Sequence, residues 1–172
     1  QTLTDVMLDL SRDGRSEHRW WSFTYSPVLD DAGAISGLFC VTAETTARVL
    51  GEARLREIVA KTGIRIVGPS SLGIVDMRHK SFLTANAAFD EPDLPVGRIF
   101  AASHSGGMIG TFLSRGKARG IGFAGLVSVG NEVDLSIGEI CASTLDDPGI
   151  DGYLLFLESL RKAHTLRAFA IE

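Results

Sequence analysis

Three polar clusters carry residue types that could do chemistry: Ser103-His104-Ser105-Gly106-Gly107, Gly130-Asn131-Glu132 and Glu158-Ser159, each following a short apolar run. The first leads into a helix-like stretch. A loop of that kind turns free backbone N–H groups and the positive end of a helix toward an anion such as phosphate. Its glycines let the backbone approach closely. Ser105 has two readings, a phosphate donor or a plain helix cap, a role that Ser fills readily. Glu158 could orient a histidine or accept a substrate proton; its plain reading is a solvated strand end. Glu132 and Asp134 divide in the same way, with a helix cap as the plain role for one of them. His104 could act as nucleophile or base, although the sequence places no Asp partner for it. His18, His79 and His164 have no metal-ligand spacing and read as surface residues. Trp20, Trp21, Phe23 and Tyr25 could flank a small ligand or simply pack a hairpin.

The elements that must position these clusters alternate strand and helix. Short apolar strands are expected at Ile64–Val67, Arg98–Ala102, Phe123–Val129 and Tyr153–Leu157, with helices at Met108–Lys117 and Ile137–Leu145. Continuously apolar strands separated by helices imply a parallel sheet with helices on both faces, and so an α/β fold of three layers. In such a sheet the strand-end loops converge on one crevice. Arg78–Gly97 reads as an ordered excursion or a long loop. The earlier residues differ in character. Trp20–Tyr25 and Ile35–Val41 alternate as strands do, and Asp30-Asp31-Ala32-Gly33 between them is a turn signal, so an antiparallel hairpin is expected. A helix follows, capped by Thr45 or Thr46 and stopped at Gly63.

The 172 residues suit one domain, or one domain and a fragment. Apolar residues are 45% and charged residues 22%, as in an ordinary globular protein, and no apolar run reaches membrane-spanning length. Gln1–Leu10 lacks the pattern of a signal peptide. A formal net charge of -4 argues against nucleic acid as a partner. Cys40 and Cys141 form neither a metal motif nor a disulfide framework, so a reducing cytoplasm is the expected compartment.

At Gly68-Pro69-Ser70-Ser71-Leu72-Gly73 the chain resembles the Gly-Pro-Asn-Cys-(Leu/Pro)-Gly signature of the succinyl-CoA synthetase α subunit and of NDP-forming acyl-CoA synthetases. Ser103-His104-Ser105-Gly106 is similar to the family's Ser-X-Ser-Gly loop, Ser128-Val129-Gly130-Asn131-Glu132 to its Ser-(Leu/Val)-Gly-Asn-Glu segment, and Asp146-Asp147-Pro148 with Tyr153–Glu158 to its Asp-Asp-Pro helix end and following strand. The resemblance covers residues 63–164 and implies a flavodoxin-like domain. Such enzymes join an acid to CoA with ATP or GTP, through an acyl phosphate and a phosphohistidine. By resemblance, Ser103, Ser105 and Gly106 hold the phosphate, Glu158 is the catalytic carboxylate that hydrogen-bonds the histidine, and Ser70 and Ser71 stand where CoA thiol and acyl group meet. His104, Asn131 and Glu132 complete the expected phosphate or CoA site. Ser70 replaces the family's Asn and Ser71 its Cys. No residue matches the phosphohistidine, and neither the CoA-binding Rossmann domain nor the ATP-grasp part is visible.

His18-Arg19-Trp20-Trp21-Ser22-Phe23-Thr24-Tyr25-Ser26-Pro27, Gly37–Val41 and Glu44–Leu50 resemble the late strands and exit helix of a PAS sensor domain, over residues 8–58. The expected division is a PAS-like fragment at 1–62 and a truncated synthetase-like domain at 63–172, joined as a natural or artificial chimera. The functional expectation is a synthetase fragment with residual phosphate or CoA binding, not competent alone and with no metal. The alternatives are a PAS-derived sensory or dimerisation module, and a folded chimera without native activity. A homodimer through the hairpin or a bare sheet edge is the expected partner arrangement, with neither membrane nor nucleic acid.

Overall fold

The computed structural model describes residues 1–12 and 15–172. They divide into two compact units, Gln1–Glu57 and Ile58–Glu172. The first is an antiparallel sheet of β1 (Thr2–Arg12), β2 (Arg15–Leu29) and β3 (Ile35–Glu44), in that order. The β2–β3 turn forms as its sequence dictates: Asp30 Oδ1 accepts from the N–H of Ala32 and of Ala34, both at 2.9 Å. The strands outrun the expected hairpin at both ends. Strand β1 was not anticipated, although Val6, Leu8 and Leu10 alternate there with Met7, Asp9 and Ser11. Helix α1 (Thr46–Thr62) follows and ends where Gly63 donates to Val59 O at 2.9 Å. The division between the two units falls inside α1, before the expected boundary at residue 62.

The second unit is built on a five-stranded sheet of order β5-β4-β7-β6-β8. Its strands are β4 (Gly73–Asp76), β5 (Ser81–Thr84), β6 (Val96–Ser103), β7 (Phe123–Ser128) and β8 (Gly152–Phe156). Strand β6 runs parallel to both β7 and β8. Every residue of β7 is buried, as its unbroken apolar run requires. Alternate residues face opposite layers. Ala101, Leu126 and Val75 pack against Ile109 and Leu113 of α2 (Gly106–Lys117). Phe100, Ala102, Val127 and Val129 pack against Ile137, Ile140 and Cys141 of α3 (Ile137–Ala142) and Phe169 of α4 (Ala163–Ile171). This is the expected α/β sandwich with helices on both faces, preceded by an antiparallel sheet. None of the described helices is long and apolar enough to cross a membrane.

The sheet is mixed, which corrects the expectation of a wholly parallel one. Strand β4 runs antiparallel to both β5 and β7. The strand expected at Ile64–Val67 does not enter the sheet. That segment lies along residues 131–135, where Leu135 N–H donates to Ile66 O at 3.1 Å, Val133 N–H to Gly68 O at 3.0 Å and Asn131 N–H to Pro69 O at 2.9 Å. Asp134 Oδ2 accepts from Ile66 N–H at 2.7 Å, and Arg65 pairs with the same carboxylate. The physical reason is local. The apolar run is short and closes on Gly68-Pro69, and proline has no N–H to offer a ladder. The place beside β7 goes to Gly73–Asp76, too short for its alternation to be read.

Arg78, in the β4–β5 turn, is fixed to the loop before β8. Its Nη1 and Nη2 donate to Asp147 Oδ1 at 2.8 Å and Oδ2 at 2.5 Å, and Gly149 N–H donates to Oδ1 at 2.8 Å. The guanidinium first, and the Gly149 amide second, hold the Asp147 carboxyl well below the usual carboxylate range. A carboxyl depressed by folding contributes stability that is complete above its unfolded value, about 3.9, and is lost as pH falls toward the folded value. Urea midpoints measured from pH 7 downward should therefore fall more steeply below about pH 4 in the wild type than in Asp147→Asn. Superimposable acid profiles would show that this pair carries no stability.

Candidate functional site

The ladder register aligns the strand ends. Ser103 at the end of β6 pairs with Ser128 at the end of β7 and with Phe156 at the end of β8, while Ser128 also pairs with Gly73 at the start of β4. The segments leaving that row are Ser70–Leu72, Val129–Glu132, His104–Gly107 and Leu157–Glu158. Short bonds tie them together. Val129 N–H donates to Ser103 O at 2.8 Å, and His104 N–H to Phe156 O at 3.1 Å. Ser71 Oγ donates to Ser128 O at 2.5 Å and accepts from Gly73 N–H at 2.9 Å. Ser70 is exposed beside it, in a left-handed conformation.

The loop into α2 is held by its own first serine. Ser103 is fully buried; its Oγ accepts from Ser105 N–H at 3.0 Å and donates to Ser105 O at 2.8 Å. Ser105 occupies the N-cap position of α2, yet its hydroxyl makes no capping bond. The first N–H groups of a helix have no partner within it. Uncapped by Ser105, those of α2 are available to a negative group. Gly106 permits a close approach from the other side: a Cβ there would lie 2.4 Å from Cγ of Leu72. Asn86 Nδ2 fixes the turn by donating to Gly106 O at 3.1 Å.

His104 links two of the other segments. The residue is 7% exposed. Nδ1 accepts from Glu158 N–H at 3.0 Å, and Nε2 lies 3.3 Å from Glu132 Oε1, off the line of a good hydrogen bond. An accepting Nδ1 puts the ring proton of the neutral form on Nε2. Glu132, in a left-handed conformation and 8% exposed, accepts from Ile137 N–H at 2.7 Å through Oε1 and so serves the start of α3. Of the two acids left open above, Glu132 thus takes the helix and Asp134 the Arg65 segment. Ser136 is the N-cap of α3 and forms a capping box with Glu139. A cavity of about 10 Å³, close to the room of one water, adjoins His104 and Glu132 and is lined also by Gly138, Ser159, Lys162 and Thr165.

Glu158 is engaged through its backbone N–H; its side chain is exposed. Asn131 is half-buried, and its N–H supports the Pro69 segment. The structure therefore brings Ser71, Ser103, His104, Ser105, Gly106, Glu132 and Glu158 to one end of the sheet. Three residues of this region were given no role by the sequence. Ser128, 1% exposed, has a hydroxyl without a hydrogen-bond partner. Leu72 and Asn86 shape the α2 loop. Ser128 and Leu72 were findable from their places in the Ser-Val-Gly-Asn-Glu and Gly-Pro-Ser-Ser-Leu-Gly runs; Asn86 was not. His18, His79 and His164 are exposed, though His18 and His79 each meet a carboxylate, of Asp9 and Asp76. Burial pushes the Cys141 thiol up to about 12, so it supplies no thiolate at neutral pH. Among the described residues no cluster of His, Cys, Asp and Glu could hold a metal ion.

Residues 96–172 match the family profile described as Succinyl-CoA ligase like flavodoxin domain. The acetate–CoA ligase (ADP-forming) of Methanocaldococcus jannaschii is 28% identical over 144 residues, which are 81% of this chain and 20% of that protein. The 4-hydroxybutyrate–CoA ligase (ADP-forming) of Nitrosopumilus maritimus is 27% identical over 143 residues, 78% of this chain and 20% of its own length. The crystal structure of a Pyrococcus horikoshii OT3 protein superposes with a TM-score of 0.62 at 25% identity, over 70% of this chain and 27% of that one. The apo form of dinucleotide-forming acetyl-coenzyme A synthetase 1 of Ca. Korarchaeum cryptofilum gives 0.61 at 23% identity, over 69% and 26%. The chain thus spans about a fifth of the curated relatives it matches. It shares the succinyl-CoA ligase-like fold with these structures, and its relatives are NDP-forming acyl-CoA synthetases.

Proposed function

We propose that the α/β unit is the phosphate-handling part of an NDP-forming acyl-CoA synthetase, and that residues 1–172 bind phosphate or CoA without turning over alone. The observation that carries this reading is the uncapped start of α2 beside the aligned ends of β6, β7 and β8. The N–H groups of Gly106 and Gly107, with the Ser105 hydroxyl, suit the anion. Ser103 shapes the loop, since its own hydroxyl is committed to Ser105. Ser70 and Ser71 form the edge where CoA thiol and acyl group meet. Glu158 is the carboxylate that hydrogen-bonds a phosphate-carrying histidine, and Asn131 and Glu132 hold the turn opposite. His104 is poorly suited to carry phosphate itself, because one ring nitrogen accepts from Glu158 and the other faces Glu132.

Ligand at about ten times its Kd should stabilise the fold by about 1.4 kcal/mol, a rise in Tm of roughly 3–6 °C. Ser105→Ala should change stability by less than about 0.5 kcal/mol, because no capping bond is lost, yet reduce that rise. No rise with millimolar phosphate or CoA, or an undiminished rise in the variant, would reject the site. ADP release by this chain with ATP, CoA and an acid would reject the claim that it does not turn over alone.

A second reading is favoured by one observation on the first unit, which holds nearly all of the PAS-like pattern of residues 8–58. Among its described residues no apolar side chain is fully buried, and all of β3 is exposed, Ile35 at 74% and Leu38 at 65%. A three-stranded sheet needs a covered apolar face to be stable. We propose that a second copy supplies it. Trp21→Ala with Phe23→Ala should then convert a dimer to a monomer in sedimentation while the β-sheet circular dichroism persists. A monomeric wild type, or collapse of the variant fold, would reject this.

A further inference from the structure

We infer that His104 is a positioning residue that latches Glu158 and the chain leaving β8 onto the α2 loop, and that the latch opens when its imidazole gains a second proton. The latch concerns the proposed anion site and rests on that reading for its purpose; its geometry stands apart from it.

The latch is a single bond, from Glu158 N–H to His104 Nδ1, 3.0 Å long. It requires an imidazole nitrogen without a proton. The imidazolium has an N–H at both positions, so no rotation of its ring presents an acceptor to Glu158. Gaining the second proton therefore breaks the bond in any orientation of the ring. Burial limits replacement by solvent: His104 is 7% exposed, and the adjoining cavity has room for about one water. Released from His104, the Glu158 amide and the Leu157–Lys162 segment lose their attachment to the loop that begins α2.

Charged groups face the ring from each surrounding element. Glu132, from the β7–α3 connection, lies 3.3 Å from Nε2. Its Oε1 is shared with Ile137 N–H. The start of α2, two residues on, presents the positive end of its dipole. Lys162, before α4, lines the same cavity with its Nζ held by Asp134 O and by Glu139 Oε2. Glu139 of α3 is committed to Ser136 and Lys162. Glu158 brings its exposed carboxylate beside its own amide.

Two measurements on the whole chain in phosphate-free buffer test the latch. Nitrogen-15 spectra of the His104 ring at about pH 7.5 should show Nδ1 bare and Nε2 protonated. Hydrogen exchange should show protection of the Glu158 amide falling about tenfold between about pH 7.5 and about pH 5.5, while that of Ala102 in β6 stays constant. In His104→Gln, which cannot gain a proton, this pH dependence should vanish. A protonated Nδ1 at neutral pH, a flat Glu158 profile in the wild type, or a pH dependence that survives in the variant would overturn the latch. If the variant fails to fold, the ring spectrum and the wild-type profile decide alone. Phosphate binding enters neither readout, so a failed latch is distinguishable from a failed anion site.

Discussion

The whole site depends on one backbone arrangement: residues 66–69 lie along residues 131–135 and close the end of the sheet. Three amide bonds and the Asp134 carboxylate hold this contact. It brings Ser70 and Ser71 to the tip of β7, where Ser71 bonds the carbonyl of Ser128. The contact also explains why residue 130 is glycine. A Cβ there would lie 2.0 Å from Pro69 O, at a φ of +60°. Side chains of any size would force the two segments apart and with them the turn that carries Asn131 and Glu132. The apolar layers beneath keep the row of strand ends level, so a small displacement of either segment would be felt at the α2 loop.

Polar groups at this end are mostly satisfied, and the exceptions fall at one place. Ser103 and Ser136 are buried but doubly bonded. The Ser128 hydroxyl and His104 Nε2 are buried without a good partner, and the start of α2 is uncapped. Trp21 Nε1 in β2 and Arg78 Nε in the β4–β5 turn are also buried without a partner; gaps of this kind are tolerated where a bound group completes them. The clustering of Ser128, His104 and the start of α2 at the ends of β6 and β7 is the physical support for an anion site there. At the β4–β5 turn both Arg78 Nη atoms are held by Asp147, while Arg78 Nε has no partner.

Much of this was legible in the residues. Phe123–Ser128 could be read because a strand covered on both sides is continuously apolar, the edge strand Gly152–Phe156 from its own short apolar run, and the turns after them because glycine and acid residues break those runs. The convergence of Ser105, Glu132 and Glu158 followed from parallel strands alone. Other features depended on contacts distant in sequence. Nothing in Ile64–Val67 announces that its partners are the loop residues 131–135. Gly73–Asp76 is too short to show a period. The role of Glu158 was sought in its carboxylate, whereas its amide makes the contact with His104, because a strand end delivers backbone as readily as side chain. The Ser105 hydroxyl was open to capping, and only the geometry of the loop shows it uncommitted.

The central claim is that these loops form one anion-sized hollow. Titrating phosphate into nitrogen-15-labelled protein and following the backbone amides tests it directly. The amides of Ser105, Gly106, Gly107, Asn131 and Glu158 should shift together, along curves that share a single dissociation constant, while those of β3 and β5 stay still. Shifts scattered over separate surfaces, or absent from the start of α2, would contradict the account.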